Sequence, residues 1–167
     1  MLCAASRFKE NIDRGHMAKS SALQPLTPDE EAFLRSLNRV LVVLPRLLDQ
    51  DLVKQEGMSV NDYLVLMLLS EAPDRRLRMS DLAAYKEHSL SGMTRIVDRL
   101  SKAGYVERER SAEDGRGAYA ALTKEGLRRL QQAWPTHLRS VRRHLMDYVD
   151  GLDLAALTAA LNKIGTD

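Results

Sequence analysis

The sequence predicts a mainly α chain (α+β) with one small antiparallel excursion, and three observations predict it. Apolar residues make up 44% of the 167 residues and aromatics only 5%, so the core must be mostly Leu, Val, Ala and Met, as suits packed helices. Leucine-rich stretches from Phe33 to Leu69 and again near the C-terminal end recur at three- and four-residue steps. Between them, Tyr105–Arg110 and Ala118–Leu122 alternate as strands do, around a turn with two glycines, Gly115 and Gly117.

The totals bound the class. A net charge of +2 is too small to identify a nucleic-acid binder by itself. The basic bias is local: from Lys124 to His144 stand Lys124, Arg128, Arg129, Arg139, Arg142 and Arg143 against one acid, Glu125, a candidate footprint or an ordinary solvated face. A single cysteine, Cys3, excludes an intrachain disulfide and suits a reducing cytoplasm. No apolar run approaches the roughly 18 residues of a membrane span, and no signal-peptide segment opens the chain, so a soluble, cytoplasmic protein is expected. Gly15-His16-Met17 resembles a vector scar, and residues 1–26 are set apart as disordered or vector-derived. The division expected beyond it is a long first helix over 27–58, a compact unit of short helices and a hairpin over 59–123, and a long connecting helix with a C-terminal helix over 124–167.

In chain order, Thr27 as N-cap, Pro28 at the first helical position and Glu30 as capping-box partner start a helix running to about Glu56. Its middle, Val40 to Leu44, is apolar all round, which predicts burial on more than one side, and Pro45 predicts a kink. Gly57 ends it. Ser59 with Asp62 starts a second helix, buried through Tyr63, Leu66 and Leu69, and Pro73 closes it. Leu77–Met79 is expected as a short strand, Ser80 as the cap of a two-turn helix from Asp81 to Lys86, and Ser89 as the cap of a longer helix from Leu90 to about Ala103.

That longer helix has two faces. Leu90, Met93, Val97 and Leu100 fall on one stripe, which should point inward. Ser91, Thr94, Arg95, Asp98 and Arg99 are left outside. Gly92 costs roughly 1 kcal/mol in a helix relative to Ala, so its presence marks a close approach of another backbone, DNA or protein. Gly104 should end the helix. A hairpin follows whose tip displays Arg116, and Thr123 caps a long fifth helix to about Val149 before a last helix with Leu154, Leu157, Leu161 and Ile164. Short helix, turn, helix and charged hairpin together outline a winged helix-turn-helix.

The run Leu90-Ser-Gly-Met-Thr-Arg-Ile-Val-Asp-Arg-Leu100, then Gly104-Tyr-Val, then Asp114-Gly-Arg116 followed by Leu122-Thr123, resembles the multiple antibiotic resistance regulator (MarR) family, over nearly the whole chain from Thr27. The resemblance implies a homodimer whose first and last helices interlock, and two winged modules spaced for a pseudo-palindromic double-stranded DNA operator. It also implies repression relieved by a small-molecule effector, often an aromatic carboxylate.

Candidate DNA contacts are Ser89, Ser91, Gly92, Thr94, Arg95, Arg99, Arg110 and Arg116, because hydroxyls and guanidinium groups suit phosphate oxygens and base edges. Arg99 would reach a phosphate or pair internally. The resemblance makes Arg116 a minor-groove reader; Asp114 is expected to shape the wing, since a carboxylate is repelled by phosphates. Candidate effector contacts are Arg39, Arg46, Tyr63, His88, Trp134 and His137, where arginine with Tyr or His would suit a carboxylate. Intersubunit salt bridges and core packing are the competing explanations for the same residues. Neither a metal nor another cofactor is expected: His137 and His144 sit two turns apart without a partner set, and Cys3 lies outside the packed helices. No catalytic constellation is present. The rivals to a ligand-responsive regulator are a winged-helix protein-interaction module and a small enzyme using the cleft.

Overall fold

The computed structural model describes residues 24–85, 90–110 and 118–165. The chain divides into two units between Arg39 and Val40, inside the first helix, α1 (Pro28–Glu56). In the first unit the capping box forms as expected: the Thr27 N–H donates to Glu30 Oε2 at 2.7 Å, and the Glu30 N–H donates to Thr27 Oγ1 at 3.3 Å. Thr27 thereby holds the Glu30 carboxyl below the usual carboxylate range, its backbone N–H first and its hydroxyl second. Leu26, Phe33 and Leu34 are exposed along an open groove of about 470 Å³ that Asp29 and Glu30 also line.

In the second unit α1 continues through Pro45 to Glu56. Gly57 stops it with φ +62°, a conformation that costs a glycine little, and its N–H donates back to Val53 O. The expected burial of the α1 midsection does not occur within the chain. Val40, Leu41, Val42 and Val43 are all exposed, and Leu52 alone among α1 residues is fully buried.

Ser59 opens α2 (Val60–Glu71) with a complete capping box to Asp62. Tyr63, Val65, Leu66 and Leu69 on this helix form the centre of the core, joined by Leu82, Met93 and Val97. After Pro73 the backbone turns through Asp74 and Arg75, both at positive φ, and this places the strand one residue earlier than expected: β1 is Arg76–Arg78. Met79, buried at 5% exposure, then begins α3 (Met79–Tyr85), so Ser80 lies within the helix instead of capping it. Next come α4 (Leu90–Lys102), β2 (Val106–Arg110) and β3 (Ala118–Leu122). The strands form an antiparallel sheet in the order β1-β3-β2, with Leu77 opposite Ala120 and Val106 opposite Leu122.

Thr123 caps α5 (Lys124–His144) by accepting from the Gly126 N–H at 2.9 Å. This helix ends earlier than expected, because Leu145 leaves helical geometry at φ −139° and a 3-10 turn over Met146–Tyr148 follows. Asp153 caps α6 (Leu154–Leu161), none of whose residues is buried. No helix among the described residues is long and apolar enough to cross a membrane.

Candidate nucleic-acid interface

Of the inward stripe expected on α4, Met93, Val97 and Leu100 are buried, and Ile96, outside the expected stripe, is buried with them; the Leu90 side chain lies outside the described ones. The outward side divides by what each charged group is doing. Arg95 is exposed and makes no hydrogen bond or ion pair among the described residues. Ser91 is exposed, while Gly92 and Thr94 are half-buried. Arg99, one turn beyond Arg95, is instead tied down: its Nη2 lies 2.6 Å from Asp62 Oδ1, and its Nε donates to both carboxylate oxygens at 3.2 and 3.3 Å. Of the two roles open to Arg99, internal pairing is therefore the one realised. Asp98 likewise accepts from Arg108 of β2 at 2.6 Å, joining the helix to the sheet.

The C-terminal end of α4 is fixed by backbone geometry. Gly104 takes φ +76°. Its N–H donates to Ser101 O and that of Tyr105 donates to Leu100 O, the paired bonds of a Schellman ending. The same loop is bolted to α5: the Thr123 N–H donates to Tyr105 O, and the Thr123 hydroxyl donates to Gly104 O at 2.8 Å. Gly126 sits so close to this loop that a Cβ there would overlap the Tyr105 carbonyl. The expected sites did not include Gly126; glycine in the first turn of a helix was the available signal.

Arg110 is the last residue of β2 and pairs with Ala118, so the strands deliver both ends of the hairpin tip. The tip itself, with Asp114 and Arg116, lies outside the described residues, as do Ser89 and His88. On β1, Arg76 and Arg78 flank Tyr119, with guanidinium carbons 4.3 and 5.2 Å from the ring centre, and Arg78 Nε donates to the Tyr119 hydroxyl at 2.8 Å.

The effector candidates scatter. Arg39 is exposed on α1 in the first unit. Arg46 is exposed and borders an open groove of about 410 Å³ with Pro45, Asp49, Gln50, Val60 and Asn61. Tyr63 and His137 do come together, their rings stacked with centroids 4.3 Å apart. Tyr63 is only 2% exposed, and burial, aided by Glu71, pushes its hydroxyl pKa up. His137 Nδ1 is buried with no hydrogen bond among the described residues, and burial pushes the imidazole pKa down. This pair is core packing in the chain as it stands. Trp134 is exposed, at 54%.

Part of the basic side of α5 meets acids of α1. Arg129 donates to the Glu56 carboxylate and to its backbone carbonyl, and the Thr136 hydroxyl donates to Glu56 Oε1 at 2.6 Å. Ser140 and Arg143 donate to Asp51 Oδ2, with His144 Nε2 3.0 Å from the same oxygen. Arg128 pairs with Glu125 within the helix. Two of the six lysines and arginines from Lys124 to His144, Arg129 and Arg143, thus clasp α5 to α1. Among the described residues no group of three or more His, Cys, Asp or Glu could hold a metal.

Comparison with known proteins agrees with this architecture. The family model described as MarR family matches residues 56–117. The HTH-type transcriptional repressor YetL of Bacillus subtilis is 34% identical over 94 residues, 56% of this chain and 56% of that protein. The chain thus matches little more than half the length of this curated relative. Solved structures match further. AbsC, a MarR family transcriptional regulator from Streptomyces coelicolor, is 37% identical with a TM-score of 0.74, over 83% of this chain and 93% of that one. Sco3205, a MarR family regulator from the same organism solved in complex with DNA, is 34% identical with a TM-score of 0.76, over 84% and 88%.

Proposed function

The chain belongs to the MarR family, and on that premise we propose that it is a DNA-binding transcriptional regulator, a repressor, that grips a pseudo-palindromic operator as a homodimer and is released by a small aromatic acid. The observation that carries the DNA reading is Arg95: an exposed guanidinium that makes no hydrogen bond or ion pair among the described residues, on a helix where the next two charged side chains, Asp98 and Arg99, are paired. An arginine left free on the outer face of such a helix is suited to a phosphate or to the O6 and N7 of guanine. The DNA-bound relative Sco3205 supports the same role. Ser91, Thr94 and, from the wing, Arg110 and Arg116 would complete the contact, with Asp114 shaping the tip.

Dimerisation is supported by apolar surface that this chain alone does not cover. Leu154, Leu157, Leu161 and Ile164 are all exposed at the C-terminal end, as are Val40, Leu41, Val42 and Val43 on α1. Burying a leucine-sized side chain is worth roughly 1.5–3 kcal/mol, so several left in water favour association with a second copy. For the effector, Arg46 and its groove offer a carboxylate the clearest opening, with Trp134 as a further exposed candidate. The buried Tyr63 and the half-buried His137 stacked on it would join only if the core opened.

The test is a salt titration on random-sequence duplex. Binding at low salt that falls steeply as salt rises is expected of phosphate contacts. Absence of binding, or salt-independent binding, would sink the DNA reading in favour of a protein-interaction module. Sedimentation of the Leu157→Glu variant beside the wild type checks the dimer: a dimer reduced to monomer is expected, and a monomeric wild type removes this part of the proposal.

A further inference from the structure

The Asp62 carboxylate joins the start of α2 to α4. It closes the α2 capping box, with the Ser59 hydroxyl donating to Oδ2 at 2.8 Å and the Ser59 N–H at 3.4 Å. It also receives the two-nitrogen grip of Arg99 from α4. One residue after the cap, the Val60 N–H donates to Asp49 Oδ1 of α1 at 2.9 Å, so the turn that carries Asp62 is itself held by the long first helix. The Asp62 residue is 7% exposed, whereas the Arg99 side chain is 56% exposed. A buried carboxylate with its own cap bonds made is a fixed point, and a planar guanidinium gripped through two nitrogens fixes rotation as well as distance.

We propose that Asp62 is a positioning residue for DNA recognition: through Arg99 it sets the rotation of α4 about its axis, and so the direction in which Arg95 is presented. Arg95 and Arg99 are four residues apart and lie on one face of the helix. Turning α4 to release Arg99 from Asp62 would swing Arg95 with it. Two arginines that look equivalent in sequence therefore have divided roles, the free one reading and the tied one aiming. Specificity for a DNA sequence depends on such aim more than non-specific attraction does, since phosphate contacts tolerate small rotations that base contacts do not.

This inference rests on the DNA-binding reading, and the experiment separates the two. Asp62→Asn retains one oxygen acceptor for the Ser59 cap, whose two bonds go to a single oxygen, while removing the charge that holds Arg99; Arg99→Gln removes the other side. Each single variant, and the double, is titrated with salt on a duplex selected by the wild type from a random pool and on random duplex. Each single variant should lose about tenfold in affinity for the selected duplex, with an unchanged salt slope and random-duplex affinity. The double variant should be no worse than either single one, because both remove one interaction. Arg99→Lys, which keeps a charge for Asp62, should recover part of the loss.

The opposite pattern overturns the proposal: Asp62→Asn unchanged or tighter, with Arg99→Gln flattening the salt slope by about one, makes Arg99 a direct phosphate contact. Hydrogen exchange without DNA gives an independent readout. Amides of residues 91–102 should exchange about fivefold faster in folded Asp62→Asn while those of α5 do not change; equal rates overturn the proposal whatever the DNA result. A wild type that binds no duplex, with faster exchange in the variant, defeats the DNA reading and with it the recognition role.

Discussion

Gly126 on α5 lies directly against the Tyr105 carbonyl at the end of α4, with room for a hydrogen but not for a methyl group. A Cβ there would also come within 2.8 Å of Leu122 Cδ1. Because the obstructing atom is backbone, already engaged by the Thr123 N–H, it cannot step aside cheaply. Gly126→Ala should therefore destabilise the fold by roughly 3 kcal/mol despite the better helix propensity of alanine. Denaturant unfolding measures this, and a neutral or stabilising effect would mean that the junction yields.

Arg95→Ala should leave unfolding unchanged, since the side chain is exposed and makes no bond within the described residues. Affinity for DNA should fall about tenfold, the cost of one good contact of roughly 1–3 kcal/mol. Equal affinity in variant and wild type at matched salt would remove the residue on which the functional reading leans.

Asp51 gives the α1–α5 clasp an acid limit. The Ser140 hydroxyl foremost, then Arg143 and His144, draw its carboxyl down to about 2 from 3.8, against the opposing effect of burial. A folded-state pKa lowered in this way contributes stability that is fully present above about pH 4 and lost as pH falls through 2. Asp51→Asn should be less stable than the wild type at neutral pH, with the difference closing between pH 4 and 2. A constant difference across that window would show that the clasp does not depend on the carboxylate charge.

His137 works in the other direction. Burial lowers its pKa, so the unfolded chain takes up a proton near pH 6.5 that the folded chain resists. Its contribution is present above that pH and is lost as pH falls below it. His137→Phe keeps a ring against Tyr63, removes the unbonded buried nitrogen, and should make unfolding less sensitive to pH between 7 and 5. Identical pH profiles for the two proteins would disprove this.

What the sequence determined by itself is whatever depends on neighbours a few residues away. The Thr27–Glu30 and Ser59–Asp62 capping boxes, the endings at Gly57 and Gly104, and the cap at Thr123 all formed as expected, because their bonds span three to five residues; the strands over 106–110 and 118–122 formed where alternation put them, brought together by the short turn between them. The order of these elements was enough to indicate the winged module and, with the Leu90–Leu100 run, the family. Only the tertiary structure decided how the charges are used. Arg99 finds Asp62 across 37 residues, Arg129 finds Glu56 across 73, and Arg143 finds Asp51 across 92. An arginine on a helix surface has the same local pattern whether it faces water, DNA or a distant carboxylate; the fold supplies the carboxylate. The limits at Met79 and His144 follow the same rule, since a buried Met79 side chain and the non-helical backbone at Leu145 moved them away from their local signals.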